Sequence, residues 1–254
     1  DAEGRLVHPM LVEPPALALW RAPTDNDLLG GLADRWDAWG VARLRRRLEA
    51  IEHGSDAVTV RATWTTDAGI VIPHLQRLSR DADGRIHVDE EVEIPAVLDD
   101  LPRVGTVLEV VPGCRDLEGL GRGPHEPYPD RARGGRIGRW RERIADQLVP
   151  YVGPQECGGH AETRRLRLIG ETGSLTIRLE RPMQVSALHL RAADLAAAAH
   201  QVELRPRAET IIHLDAAHRG LGTLACGPDT LARYVLRPGT YRWSWALGHE
   251  PAGH

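Results

Sequence analysis

The chain has 254 residues, a formal net charge of −4 and 42% hydrophobic residues, which is enough apolar surface for a folded core and too much for a disordered chain. All 32 basic residues are arginine, but the acidic balance argues against a nucleic-acid binder, whose domain is usually basic. No apolar run approaches the roughly 20 residues that span a bilayer. Residues 1–15 lack the basic start and apolar stretch of a signal peptide.

The cysteine and acidic residues predict neither disulfides nor a metal site. The cysteines are sparse and odd in number, which does not suit a disulfide framework or a zinc ribbon: Cys114, Cys157 and Cys226. Asp25, Asp27 and Asp130 lack a ligand spacing typical of a hard cation. We therefore expect reduced thiols, a cytoplasmic protein and no metal or cofactor.

Helical patterns are few along the chain. The short polar side chains of residues 25–27 predict a turn or a helix cap, because they can bond nearby backbone amides. Residues 33–39 predict a short helix, which Gly40 interrupts, and a strand is expected from Ala42 onward. The alanine-rich residues 194–200 predict one or two further helical turns.

Alternation of apolar and polar residues recurs along most of the chain. It covers four segments, namely residues 58–64, 86–94, 175–179 and 241–247. A period of two places one face of a strand on a core and the other towards solvent. Glu90 is the exception, since it occupies an otherwise apolar position. Many strands with few helices predict an all-β fold, in which two large antiparallel sheets pack face to face as one domain over residues 1–254.

Two long stretches without strand or helix patterns are rich in glycine and proline: residues 120–160 and residues 220–234. Long loops in a compact domain are usually functional or binding loops. Within the first stretch, Asp130 and Arg131 beside Tyr128 predict a loop that is fixed by its own hydrogen bonds.

Five segments, spread in order along nearly the whole chain, carry a family resemblance. Residues 119–131 read G-L-G-R-G-P-H-E-P-Y-P-D-R, and residues 151–156 read Y-V-G-P-Q-E. The others are L-W-R-A-P-T-D-N-D at residues 19–27, the glycine-rich residues 220–229, and P-G-T-Y-R-W at residues 238–243. Together these segments resemble the small domain of family 2 β-galactosidases, whose loop G-x-G-P-x-E-x-Y-P-D-R is similar to residues 119–131.

The resemblance implies a fold and a partner. The family's small domain is a large two-sheet β-sandwich (a supersandwich) related in shape to galactose mutarotases, and the catalytic glutamates lie on a separate (β/α)8 barrel. The chain is then expected to be the carboxy-terminal small domain, or the small subunit, of a β-galactosidase, and to have no catalytic residues of its own. Its expected partners are the catalytic barrel domain or large subunit and a galactoside substrate, within an oligomeric enzyme, with no nucleic acid or membrane.

The resemblance also implies substrate-binding residues. A loop of the family's small domain reaches the active site of the barrel, where a side chain, tryptophan in the best-known member, packs against the sugar or its leaving group. Cys226 occupies that position here, just before Gly227. Other candidates lie in the long loop: His125, Glu126, Glu156 and His160. The loop departs from the family pattern at Cys157 and at His160, where asparagine and arginine are usual.

Two alternative functions remain open. A mutarotase-type enzyme would use a histidine acid and a glutamate base on a sugar, which His125 with Glu126 or Glu156 would supply. A free-standing carbohydrate-binding module would stack sugars on exposed aromatic rings. The residues to test for that role are Tyr241, Trp243 and Trp245, although their shared parity points them towards the core.

Two further expectations concern hydrolysis and docking. Retaining glycosidases need two carboxyl groups about 5–5.5 Å apart, and nothing in the sequence brings the loop carboxyl groups of Glu126, Asp130 and Glu156 together. Docking on a barrel implies an exposed apolar or aromatic patch. Its candidate contributors are Trp20, Trp36, Trp39 and Trp140.

Overall fold

The computed structural model describes residues 1–171 and 173–251 of the chain, and within these residues strands predominate. The strands are β1 Leu11–Ala18, β2 Leu44–His53, β3 Ala57–Thr66, β4 Val71–Arg80, β5 Ile86–Ile94, β6 Arg103–Val110, β7 Cys114–Gly123, β8 Arg136–Arg143, β9 His160–Gly170, β10 Gly173–Leu188, β11 Thr210–His218 and β12 Gly239–Pro251. The α-helices are α1 Asp25–Leu29, α2 Leu32–Trp39 and α3 Ala192–Ala197. Single 3-10 turns span Ala132–Gly134, Ile144–Gln147, Gln201–Glu203 and Ala232–Tyr234.

The strands form two antiparallel layers that share β10. One layer has the order β8-β7-β9-β10-β12-β5-β4-β3-β2, and the other has the order β1-β6-β11-β10. Residues 173–179 of β10 pair with β12, whereas residues 184–188 pair with β11. The predicted all-β sandwich of two antiparallel sheets is therefore confirmed, and a single long strand passes from one layer into the other.

The core lies between the layers, where the inward faces of the alternating strands meet. Leu175 and Ile177 of β10 are fully buried, as are Leu108 of β6 and Leu214 of β11. The Trp243 indole N–H of β12 donates to the Thr106 hydroxyl of β6 at 3.0 Å, which joins the two layers directly. The four alternating segments thus face the core as predicted.

Glu90 lies inside this core and is fully hydrogen-bonded. Its carboxylate accepts from the Trp245 indole N–H at 2.7 Å and from the Thr106 hydroxyl. His74 Nδ1 accepts from the Trp64 indole N–H at 2.9 Å, so the proton on Nε2 is free to be donated to Glu90, also at 2.9 Å. Burial alone would raise the pKa of Glu90, but these donors outweigh it and lower the pKa. The polar exception in the strand pattern is therefore a satisfied buried network.

The helices agree with the sequence in kind and differ at their ends. Helix α2 begins one residue before the predicted segment and ends where Gly40 adopts a left-handed conformation, with φ 66°. Thr24 caps α1, and Asp27 accepts the Thr24 amide in return at 2.8 Å, so residues 25–27 do form a capping structure. Helix α3 covers only part of residues 194–200. Among the described residues, helices are too short or too polar to cross a membrane.

Candidate functional site

The first glycine-rich stretch is not one long loop as predicted, because β7 extends to Gly123 and β8 occupies Arg136–Arg143, so its loop parts, called the first loop, are residues 124–135 and 144–159. A cleft of about 700 Å³ opens where the start of α1 meets this first loop and the late glycine-rich loop. The entry segment contributes Asp25 and Asn26, and residues 130–131 contribute from the first loop. Tyr151, Gln155 and Glu156 form another part of the wall, and residues 221–234 close the remaining side. Segments that are far apart in the sequence therefore build one concavity.

Asn26 holds the late loop against α1. Its side-chain N–H groups donate to the carbonyl oxygens of Leu221 at 3.1 Å and Gly222 at 2.9 Å. Its side-chain oxygen accepts the amide N–H of Ala225 at 3.0 Å. Both sides of the amide are used, so these contacts fix the orientation of the side chain as well as the position of the loop.

Asp130 holds the late loop from the opposite side. Its Oδ2 atom accepts the Gly222 amide N–H at 2.8 Å and the Thr230 hydroxyl at 3.0 Å. The prediction of a loop fixed by its own hydrogen bonds is therefore wrong for Asp130, whose partners lie in the other glycine-rich loop, and is confirmed for Arg131, which donates to Glu126 of the same loop. The Arg131 guanidinium packs over the Tyr128 ring, 5.1 Å from its centroid.

Glu126 fixes the first loop from within. Its Oε1 atom accepts from the Arg131 guanidinium at 2.6 Å and from the Tyr151 hydroxyl, and its Oε2 atom accepts the Gly158 amide at 2.8 Å. Hydrogen bonds to a carboxylate are shorter and stronger than those between neutral groups. The Glu126 carboxylate therefore supports Arg131 and Tyr151, two side chains of the cleft wall.

Glu156 faces the sandwich. Its Oε1 atom accepts from the Arg103 guanidinium at 2.9 Å and from the Tyr128 hydroxyl at 3.1 Å, and its backbone N–H donates to the carbonyl of Ala22 at 3.2 Å. The residue is only 6% exposed, so its carboxylate is bound inside the protein even though the residue contributes to the cleft wall.

A buried polar cluster lies behind Glu156, on the face of β6 and β11 that the first loop covers. Arg103 stands between Glu156 and Asp215, whose Oδ1 atom is 3.4 Å from Arg103 Nε. Burial raises the pKa of Asp215 to about 7, and the nearby Glu156 carboxylate adds to the rise, although the guanidinium groups of Arg103 and Arg21 act to lower it. His218 donates from Nδ1 to the carbonyl of Arg219 at 2.8 Å, and burial lowers its pKa well below the ordinary value.

This cluster bears on the mutarotase hypothesis. The sheet face does carry a histidine and a glutamate, but they are His218 and Glu156, with Nε2 and Oε1 3.8 Å apart. His218 is 4% exposed and Tyr128 packs against it, with ring centroids 5.1 Å apart, so the pair is sealed from solvent. The proposed acid, His125, lies on the surface instead. A sugar therefore has no opening to the histidine–glutamate pair in this structure.

The remaining sequence candidates lie in two places. Cys226 is exposed on a turn in which its amide and that of Gly227 both donate to the carbonyl of Thr223, at 2.9 and 2.7 Å. The neighbouring residues Ala225 and Pro228 line the cleft, so this turn forms part of its rim. His160 lies in a separate hollow, bonded to the Gln147 side chain at 2.6 Å, and burial lowers its pKa.

The aromatic residues proposed for contact with sugar or barrel are mostly enclosed. Trp243 and Trp245 are 6% and 2% exposed and offer no open face for stacking, whereas Tyr241 is half-buried and lines a hollow on the outer side of β12. Trp36 is fully buried and donates to the carbonyl of Asp100 at 2.8 Å. The other tryptophans proposed for a docking patch are half-buried: Trp20, Trp39 and Trp140.

Sequence reasoning did not find three residues of the buried cluster, namely Arg103, Asp215 and His218. A signal was present in β11, where His213 and Asp215 alternate with the buried residues Ile212 and Leu214. Polar residues at every second position of an apolar strand indicate a second, polar face.

Comparison with known proteins identifies the family. A family model described as beta galactosidase small chain matches residues 3–247. A β-galactosidase from Aeromonas hydrophila is 32% identical over 267 residues, covering 96% of this chain and 25% of that protein. A β-galactosidase from Arthrobacter sp. is 30% identical over 256 residues, covering 88% of this chain and 25% of that protein. The chain therefore belongs to the β-galactosidase small chain family.

The chain spans about a quarter of the length of the curated relatives that it matches. Among solved structures, a galactose 1-epimerase from Lactobacillus acidophilus is 12% identical, with 83% of this chain and 67% of that chain covered and a TM-score of 0.44.

Proposed function

We propose that the chain is the small domain or small subunit of a β-galactosidase, that it packs on a catalytic (β/α)8 barrel, and that its cleft rim completes the galactoside-binding site. The observation that carries this proposal is the bracing of residues 221–230 from both sides, by Asn26 and by Asp130. A loop held in this way can present its exposed turn at a fixed position, and preorganisation lowers the entropic cost of binding.

The wall of the cleft supports a role in completing the binding site of a catalytic barrel rather than hydrolysis by this chain alone. Glu126 and Glu156 are both engaged as acceptors within the chain. Neither is therefore free to act as a nucleophile, and the acid and the nucleophile for hydrolysis would come from the barrel. Cys226 and Gly227 are the residues that we assign to substrate contact.

The cellular location of the chain and its assembly into a larger enzyme are proposals that follow from the same function. The free thiol of Cys226 is exposed, and such a thiol is suited to a reducing compartment such as the cytoplasm. Because the chain spans a quarter of its relatives, we propose that it works within a larger enzyme that is oligomeric.

The proposal is tested by hydrolysis of a chromogenic galactoside. The chain alone, a matching large subunit or barrel fragment alone, and their mixture are assayed at equal concentrations. We expect no hydrolysis by the chain and a gain of activity on mixing. Hydrolysis by the chain alone, or a mixture no more active than the barrel fragment, would contradict the proposal.

A substitution on the rim tests the role of the turn. Cys226→Trp adds an aromatic face at the proposed sugar-contacting position and is expected to lower the KM of the mixture several-fold, since sugars stack on such faces. The matched control is Ala199→Trp, which adds the same side chain at an exposed position that does not line the cleft. Equal effects of the two substitutions on the KM would show that Cys226 does not contact the substrate.

A further inference from the structure

A second hollow, of about 330 Å³, lies on the outer face of the larger layer. Its floor is formed by Thr176 on β10 and by Ala246 and Gly248 on β12, where the side chains are short or, at Gly248, absent. Longer basic side chains surround this floor, namely Arg85, Arg165, Arg167 and Arg178, with His249 beside them. Such a volume falls at the lower end of the range of about 300–1,000 Å³ that small-molecule sites have.

Two of these arginines face each other without a counter-charge. Arg165 of β9 and Arg178 of β10 are directly paired in the antiparallel register. Like charges directly opposite on neighbouring strands destabilise a sheet. Among the described residues, ion pairs within 4.0 Å join Arg85 to Asp81 and Asp83 and join Arg167 to Glu118 and Glu250, but none joins a carboxylate to Arg165 or Arg178.

The charge of the hollow is opposite to that of the whole protein. Four arginines line it against the carboxylates of Asp83 and Glu250, whereas the chain as a whole carries a net charge of −4. Past Arg165 lies an adjoining hollow lined by Arg139, Arg141 and Glu118, in which Arg141 is paired with Asp116 at 3.0 Å. The local field therefore attracts anions on a protein that otherwise repels them.

We propose that this hollow binds a small multivalent oxyanion, with phosphate as the simplest member of the class, between the guanidinium groups of Arg165 and Arg178. Planar guanidinium groups bind such anions through paired N–H donors, and an anion between them removes the repulsion across β9 and β10. Ala246 has a short side chain and Gly248 has none, which leaves the space in which the anion would lie. This site is independent of the cleft and of the proposed β-galactosidase function.

The test measures the thermal unfolding of the chain in inorganic phosphate at low millimolar concentration, against sodium chloride of matched ionic strength at the same pH. We expect phosphate to raise the midpoint, because a ligand that binds only the folded state stabilises it. The rise should be lost in the double variant Arg165→Gln/Arg178→Gln. The control Arg77→Gln removes an exposed arginine of β4 outside the hollow and should retain the rise.

A second measurement keeps the test independent of variant stability. In phosphate-free buffer the double variant should unfold at the same or a higher temperature than the unmodified chain, since its like charges are gone. Titration calorimetry of the unmodified chain with phosphate should give saturable heat. A phosphate-induced rise of equal size in the double variant, or no saturable heat in the unmodified chain, would overturn the proposal.

Discussion

Asp215 shows how the composition of a buried cluster sets the protonation of one residue. Arg103 supplies a single positive charge to Glu156 and Asp215, and Glu156 already has the shorter contact with it, 2.9 Å against 3.4 Å. The Tyr128 hydroxyl further supports the Glu156 carboxylate. Burial is the largest cause of the raised pKa of Asp215, about 7, and the positive charges of Arg103 and Arg21 offset it only in part, so Asp215 keeps its proton to a higher pH than an exposed aspartate.

The sign of the resulting pH dependence follows from proton linkage. In the unfolded chain an aspartate releases its proton near pH 4, whereas folded Asp215 retains it to about pH 7. Between these values the folded state binds more protons, so the contribution of Asp215 to the free energy of unfolding falls as pH rises. The fall is about 1.4 kcal/mol for each unit by which the two pKa values differ, and it ends above pH 7.

We predict that Asp215→Asn removes this pH dependence. The free energy of unfolding of the unmodified chain minus that of the variant should decrease from pH 4 to pH 7 and stay level above pH 7. Denaturant unfolding over this pH range measures the difference. Asp89→Asn, at an exposed position, is the control and should show no comparable decrease. A flat difference for Asp215→Asn would mean that the buried carboxyl is already ionised at low pH.

At the scale of single elements, the first glycine-rich loop owes its position to a close approach at Gly159. A Cβ atom at this residue would lie 2.7 Å from the Tyr128 ring and even closer to the Gln184 amide. Both neighbours are buried, so a side chain at residue 159 would have to displace the Tyr128 ring as well as the end of the Gln184 side chain. The absence of a side chain therefore allows the loop to close over the polar face of the sheet.

We predict that Gly159→Ala lowers the free energy of unfolding by about 1–3 kcal/mol, the usual cost of overpacking. The variant should also admit solvent to the sheet face, which faster hydrogen exchange in residues 156–160 would reveal. The matched control is Gly153→Ala, because nothing lies within 4 Å of a Cβ atom added there. Similar stability of the two variants would show that the loop yields easily at Gly159.

The sequence predicted those elements whose pattern is local. Alternation identified the strands that contain Trp64, Ile177 and Trp245, and even the exception at Glu90 marked a real core position. The dual pairing of β10 was not predictable in this way, because its alternation is clear only at residues 175–179 and is interrupted at residues 180–182, which are exposed, before the strand pairs with β11 at residues 184–188. The contact of Arg103 with Glu156 was not predictable from a local pattern either, because these residues are 53 positions apart and meet only after the layers have packed.

The candidate site was predicted in part for the same reason. Resemblance indicated the glycine-rich loops and the turn at Cys226, which do lie at one cleft. It also grouped His125 and His160 with them, although His160 lies in a separate hollow and His125 does not line the cleft. In a loop, the sequence has no period that indicates in which direction each side chain points. The side chains of His125 and His160 therefore could not be placed before the fold was known.

At the scale of the whole molecule, the layers are not separable units. Strand β10 belongs to both, and the Trp243–Thr106 hydrogen bond joins them through the core. We predict that the described chain unfolds in one cooperative transition, as a single domain. Far-ultraviolet circular dichroism and tryptophan fluorescence should give coincident curves during thermal unfolding. Two resolved transitions would contradict this prediction and would indicate that each layer unfolds separately.

The contacts of Asn26 have a consequence for the order in which the protein can be made. Its partners Leu221, Gly222 and Ala225 follow it by 195 to 199 positions in the chain. During synthesis on the ribosome the first part of the cleft emerges long before the loop that completes it, and β5 likewise waits for β12. Until β12 has emerged, the inward face of β5 stays uncovered on that side, so this is the interval in which a chaperone would have most to bind.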